Sequence, residues 1–452
     1  MRMTGRIRPP WRAVVRERTA HHAREVAHDI ACRLREPLIV QSAAADAAMQ
    51  SSHPATKQWE SYGVAQGFAG TAILAGNMES CFPGESWAHV AHAHLELAAR
   101  GAASAKIPAG IFSGLSGLAF ATSYLSRGAT RYSRLMQALD ATLLPRIDAL
   151  ASAVPSSQPT GVAYFDLISG LSGVGAFLLC RMDSPACVAA LRVLLTRLVA
   201  LCEDDDGLPR WWTPDRFLMP ESRALCPEGS LNCGLAHGIP GPLALMSLAS
   251  LAGIDVTGLH AAIERTAQWL CEHRADDAWG VNWPYAVPVD KDAKITWPLP
   301  TGSPEAAPGR AAWCYGAPGV ARSLVVAGRA LRRDTCRTLA IDAMCAAFAK
   351  PIAEREIPSP TFCHGVAGLL QITLRFAQEE AAPELTKAAA TLCEQLLDLY
   401  DPANPLGYRS VEEGDRRVDN PGLLDGAAGV ALVLLAASTD VEPTWDRLFL
   451  LS

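Results

Sequence analysis

Two kinds of apolar pattern alternate along the chain. In the segment ELTKAAATLCEQLLDLY, Leu385, Ala389, Leu392, Leu396 and Leu399 recur at 4-3-4-3 spacing, which puts them on one face of a helix with a polar face opposite. Residues 131–150 and 258–273 read the same way. The second pattern is apolar almost all round the helix, and a helix with no polar face predicts burial on every side. Each run of this second kind opens on G-x-x-G. The seven copies are GFAGTAILAG from Gly67, SGLSGLAFA from Ser113, SGLSGVGAFLL from Ser169, HGIPGPLALM from His237, YGAPGVARSL from Tyr315, HGVAGLLQI from His364 and DGAAGVALVLL from Asp425. Their first glycines are 47, 56, 68, 78, 49 and 61 residues apart, room for two helices plus loops in each interval.

Inner and outer helices in alternation imply an all-α chain. An open stack of helix pairs satisfies the pattern, but seven buried inner helices are more simply satisfied by closing the array into a ring: an α/α toroid of seven inner and seven outer helices. The glycines then serve close backbone approach at the converging end of the inner helices. A phosphate-cradling loop needs a preceding strand and a following Lys-Ser/Thr, and an RNA-binding loop needs basic flanks; the copies have neither. Residues 51–452 are expected to form this single domain, with 1–50 an N-terminal arm and first helices.

Half of the 452 residues are hydrophobic and only 19% are charged, which supplies a large core and rules out disorder for most of the chain. The formal net charge of −6 leaves no basic field for a nucleic-acid partner. Thirteen cysteines, odd in number and scattered, fit a reducing, cytoplasmic setting better than a secreted disulfide scaffold. The longest uninterrupted apolar run, near 426–437, is too short for stable membrane insertion, which takes about 20 residues. Arg2, Arg6, Arg8, Arg12, Arg16 and Arg18 precede no apolar signal segment and read as a solvated terminus, with an anionic or membrane surface as the alternative partner.

Packing asks only for small residues beside the glycines, so reactive side chains there stand out. They are His237 in LAHG, Cys314 and Tyr315 in WCYG, Cys363 and His364 in FCHG, and Asp425 in LLDG. Two thiolates and an imidazole in register in adjacent repeats suit a tetrahedral Zn²⁺ site, although cysteines on apolar faces are also common as small buried hydrophobes.

The set GLAHGIPG, WCYGAPG and FCHGVAG, in that order, resembles the lanthionine synthetase C family, the LanC-type cyclases of lanthipeptide biosynthesis, over nearly the whole chain from about Gly67 to Leu435. The resemblance implies the seven-plus-seven α/α toroid and one zinc ion held by Cys314, Cys363 and His364, with water or a substrate thiol as fourth ligand. It also implies catalytic positions at His237, at Asp166 in YFDLISG, at Arg310 in GRAAWCYG and at Tyr315. The implied reaction is Michael-type addition of a peptide Cys thiol to dehydroalanine or dehydrobutyrine in a dehydrated precursor peptide. A separate dehydratase and a peptide exporter complex at the membrane are the implied partners. A LanC-like protein that binds glutathione or a thiol peptide without closing rings is the alternative. An α/α-toroid glycosidase or terpene-type cyclase lacks its acidic signature here.

Other features carry less. His89, His92 and His94 read as residues of an amphipathic helix, Cys226 and Cys233 as buried spectators, Asp204, Asp205 and Asp206 as a turn, and Asp425 as the cap of the last inner helix. Asp166 would serve as a helix cap were the resemblance absent. Residues 206–232 and 276–310, rich in Trp and Pro, are expected to be ordered surface loops walling a peptide groove.

Overall fold

A computed structural model describes residues 10–103, 106–128, 130–154, 159–300 and 302–452, apart from the side chains of 55 and 56. Arg2, Arg6 and Arg8 lie outside the described residues. In chain order the helices are α1 (Glu17–Arg33), α2 (Pro37–Gln50), α3 (Phe68–Cys81), α4 (Trp87–Ala103), α5 (Leu115–Leu125), α6 (Ser133–Ala153), α7 (Leu171–Leu179) and α8 (Pro185–Leu201). They continue with the short α9 (Pro220–Leu225), then α10 (Pro240–Leu251), α11 (Leu259–Glu272), α12 (Ala317–Leu331), α13 (Asp334–Ala349), α14 (Val366–Glu379), α15 (Pro383–Asp398) and α16 (Ala427–Ser438).

The seven all-apolar runs are α3, α5, α7, α10, α12, α14 and α16. Each packs against the next in chain order, and α16 packs on α3, so the inner layer is a closed ring. Six outer helices, α4, α6, α8, α11, α13 and α15, each cover the inner helix before them, and α1 covers α16 as the seventh. The buried face of α1, Ala20, Ala23, Val26, Ala27, Ile30 and Ala31, supplies this seam. On α15 the predicted stripe is buried through Leu396, but the helix ends at Asp398 and Leu399 is 42% exposed.

Each inner helix is preceded by a loop that folds back on its first turn. A Cβ on Gly117 would collide with the carbonyl oxygen of Ile111, and one on Gly368 with that of Phe362; the second glycine of each motif thus fits its own loop against its own helix. Close approach is therefore the reason for the glycines, but mostly within a repeat rather than between helices. Unusual backbone is needed at only one of the first glycines, Gly316, whose φ is +89°.

These loops also join the repeats. Backbone hydrogen bonds run Ala65 N to Phe112 O, Leu167 N to Ala236 O, Ala236 N to Cys314 O, Cys314 N to Cys363 O, Cys363 N to Leu424 O and Leu424 N to Ala65 O, at 3.0–3.3 Å. All these residues lie two or three before a first glycine, so equivalent positions of successive copies are stitched edge to edge around the axis.

The bore is filled from the other end. After α16 the chain turns back, and Trp445, Leu448, Phe449, Leu450 and Leu451 are fully buried. The Phe449 ring meets Phe112, Trp313 and Phe362, from three different repeats, which places it on the axis beneath the stitched loops. Charges in the bore are paired: Arg375 Nε and Nη2 donate to Asp446 at 2.6 and 2.7 Å, Arg322 Nη1 donates to Glu379 at 2.8 Å, and Arg322 also donates to the Leu451 carbonyl.

The Trp- and Pro-rich segments are not separate loops. β3 (Thr213–Pro214), β4 (Gly229–Asn232) and β5 (Ala286–Pro288) form one three-stranded antiparallel sheet, and Trp283 is fully buried, with its indole N–H donated to the Leu270 carbonyl. The two earliest strands, β1 (Asp204–Asp205) and β2 (Leu208–Pro209), form a hairpin in which Asp204 Oδ1 accepts from Gly207 N, the turn expected there. Among the described residues no helix is long and apolar enough to cross a membrane.

Candidate metal centre and active site

The stitched loops bring the sequence-predicted residues to one end of the ring. Cys314 and Cys363 occupy the same place in adjacent copies, two residues before the first glycine, and are joined directly by the bond from Cys314 N to Cys363 O at 3.2 Å. Their side chains meet as well. A hydrogen bond from the Cys363 thiol lowers Cys314 from its ordinary range against the effect of burial, with Arg310 assisting, while the same contact and burial push Cys363 well above it. The two sulfurs are therefore hydrogen-bonded to one another, with Cys363 the donor.

His364, Tyr315, His237 and Asp425 occupy the next position, one before the glycine. Burial lowers His364 and keeps its imidazole neutral, the form that can coordinate a metal. Cys363, His364 and Asp425 offer ligand atoms that all lie within 4.8 Å of one another. Asp425 is thus no helix cap: Gly426 holds the cap position of α16, with no side-chain cap, and the Asp425 carboxylate points to His364 and Lys57 instead. The register that aligned the cysteines would have found it, since Asp425 stands beside His364 in the neighbouring copy.

Asp166 and His237 form a second cluster. Asp166 is 1% exposed; its Oδ1 accepts from the backbone N–H groups of Ser169 and Gly170, both at 2.8 Å, and its Oδ2 accepts from His237 Nδ1 at 2.7 Å. A carboxylate can only accept, so the His237 proton is on Nδ1 and Nε2 faces outward. The imidazole is 40% exposed, open to the mouth of the ring, and its centroid lies 6.5 Å from that of Tyr315. Asp166 binds loop N–H groups as a cap would, but with its other oxygen it fixes a histidine.

Arg310 places its guanidinium beside Cys314, donates from Nε to the Tyr285 hydroxyl at 3.1 Å and packs over the Tyr285 ring. Burial pushes the Tyr315 hydroxyl up, so it stays protonated, and it accepts from Asn232 Nδ2 at 3.1 Å. Asn232 ends β4 and Tyr285 precedes β5, so the small sheet supports both Arg310 and Tyr315. Sequence reasoning missed Asn232, Tyr285 and Lys57, which no motif marks. All seven inner helices also begin at this end, so their positive dipole ends converge where thiolates gather.

Of the other discounted groups, several have surroundings of their own. His94 is buried and saturated by Thr71 Oγ1 at 2.7 Å and the Arg35 carbonyl at 3.1 Å, and His92 stacks on Tyr132. Cys226 is buried and pushed up to about 11 by that burial. A cleft of about 800 Å³ at the opposite end of the ring, between the C-terminal ends of α3, α5 and α7, holds none of the predicted residues.

Comparison with known proteins gives the family and the fold. The family described as lanthionine synthetase C-like protein matches residues 58–450. The nisin biosynthesis protein NisC of Lactococcus lactis subsp. lactis is 24% identical over 348 residues, 75% of this chain and 77% of that protein. Among solved structures, nisin cyclase superposes with a TM-score of 0.73 over 91% of this chain and 97% of its own, at 20% identity, a shared fold.

Proposed function

Because the chain belongs to the lanthionine synthetase C-like family, we propose that it is a zinc-dependent lanthipeptide cyclase, which joins Cys thiols of a dehydrated precursor peptide to dehydroalanine or dehydrobutyrine as thioethers. The observation that carries this reading is the pairing of two clusters at one open end of the ring: Cys363 and His364, with Cys314 hydrogen-bonded to Cys363, and the Asp166–His237 dyad.

The donor set fits zinc. Two mutually hydrogen-bonded thiols and a neutral imidazole are soft and borderline ligands, and three protein donors leave a position for substrate. Cys314, Cys363 and His364 would hold the ion, which when bound lowers the pKa of a coordinated thiol and so makes it nucleophilic at neutral pH.

The chain's own residues perform the remaining tasks. Addition of sulfur to the alkene β-carbon leaves an enolate that must gain a proton at Cα. His237, held by Asp166 and exposed at Nε2, is positioned to handle that proton. Asp166 acts through His237, since both its oxygens are already engaged. Arg310 would supply a permanent positive charge and Tyr315 a hydroxyl to the developing enolate oxygen, and the converging helix N-termini favour the same negative charge. Dehydration of the precursor is assigned to a separate enzyme.

Incubation with a dehydrated peptide, followed by thiol alkylation and mass analysis, tests the proposal. Thiols should vanish from alkylation with no change in peptide mass. Persistent alkylatable thiols in the presence of bound peptide would instead favour a thiol-peptide binding protein.

A further inference from the structure

The carboxylate of Asp425 is divided between two environments. Its Oδ2 accepts from Lys57 Nζ at 3.2 Å. Its Oδ1 is buried, receives no hydrogen bond from the described residues and lies 3.8 Å from His364 Nδ1, too far to be one. A buried carboxylate oxygen left without a donor is costly unless a cation satisfies it. That oxygen belongs to the residue whose ligand atoms lie within 4.8 Å of those of Cys363 and His364.

We infer that Asp425 is a fourth protein donor of the resting metal centre, through Oδ1, and that an arriving peptide thiol displaces it. This rests on the reading of the centre as a zinc site. The proton of the incoming thiol passes to the carboxylate it displaces, so one thiolate replaces one carboxylate and the charge in the pocket does not change.

Lys57 keeps the displaced group in place. It is 7% exposed, and its ammonium lies between Asp425 and Glu412, the latter at 3.8 Å. Glu412 is itself fixed by the hydroxyl of Ser51 and by the hydroxyl and backbone N–H of Ser52, at 2.8–3.0 Å. Lys57 is therefore an anchored cation that holds one carboxylate oxygen whether or not the other is coordinated. It lies one residue outside the stretch matched to the family.

Cobalt(II) bound to the full-length protein provides the test. Asp425→Ala should weaken Co²⁺ in chelator competition by at least about tenfold, with helical circular dichroism retained. Asp425→Cys should give a gain of signal. A metal–sulfur bond of about 2.3 Å against about 2.0 Å for oxygen makes up about half of the shorter reach of the side chain, and sulfur-to-cobalt charge-transfer absorption should rise by roughly half, from two thiolates to three. Unchanged charge-transfer intensity in Asp425→Cys would place Asp425 outside the coordination sphere and overturn the inference, whatever the affinity does. A wild-type protein that binds neither Co²⁺ nor Zn²⁺ would instead refute the zinc-site reading beneath it.

Discussion

Asp166→Asn is the most informative single change, because the structure separates what it keeps from what it removes. An amide carbonyl can still accept from Ser169 N and Gly170 N, so the start of α7 should be unaffected. Its NH₂ would then face His237 Nδ1, which must turn from donor to acceptor, and the ring proton moves to Nε2. Loss of charge assistance alone exchanges a hydrogen bond worth about 1.5–3 kcal/mol for one of about 0.5–1.5 kcal/mol, a difference near one factor of ten in rate. If the misplaced proton also disables acid–base work at Nε2, the loss approaches the roughly 10²–10⁴-fold effect of removing such a group. Cyclisation by Asp166→Asn should therefore fall by at least about tenfold, with unchanged metal content and thermal midpoint. Asp166→Ala should behave differently: it strands two N–H groups at the helix start, at a cost of about 1–3 kcal/mol each, and should melt earlier as well. Single-turnover thioether formation, elemental analysis and thermal melts on the same preparations decide the matter. An Asn variant that cyclises at the wild-type rate, or that loses its metal, would refute the dyad.

Four further outcomes are expected. Purified protein should hold close to one zinc, and Cys314→Ala, Cys363→Ala and His364→Ala should each lose most of it by elemental analysis, since each removes one of the thiol or imidazole donors that suit zinc; full zinc in Cys363→Ala would refute the ligand set. His237→Ala should keep zinc and fold yet lose about 10²-fold or more in cyclisation, with Tyr315→Phe milder, as followed by alkylation and mass analysis; zinc loss in His237→Ala would make it a ligand. Burial alone would raise Glu379, but Arg322 and Arg329 hold it down at about 2; stability from this pair is complete above the ordinary value of 4.5 and drains away as pH falls toward 2, so acid melts should show the loss in that window and Glu379→Gln should lack it. Phe449→Ala empties a fully buried ring site and should cost about 3–5 kcal/mol in urea unfolding, whereas a loss below about 1 kcal/mol would contradict the packed bore.

The ring and most of its site are legible from the glycines. Each G-x-x-G marks the start of an inner helix, so counting motifs counts helices. Reading the same offset from each motif finds Cys314 beside Cys363 and His364 beside Asp425, because the loops are hydrogen-bonded in register. What escaped the sequence depends on contacts without a period. Lys57 reaches Asp425 from a single 3₁₀ turn 368 residues away, and Asn232 and Tyr285 meet the site only because β4 and β5 pair. The tail at 445–451 is a short apolar run whose place in the bore is set by Arg375, Arg322 and three aromatic loops, none of them near it in sequence.

The seam between α1 and α16 also governs how the chain comes to exist. At about 5–20 residues per second, on the order of 20–80 s of synthesis separate the first helix from the last. Throughout that time the Ala- and Val-lined face of α1 lacks its main partner, α16, and the aromatic loops that end on Phe449 have no centre to pack on. The nascent protein is thus an open arc with two sticky ends, in need of shielding on the ribosome, and ring closure is a late, single event that follows emergence of the tail. Cys314 and Cys363 can meet earlier, but Asp425 and the filled bore arrive together, so completion of the donor set reports that the whole chain has been made.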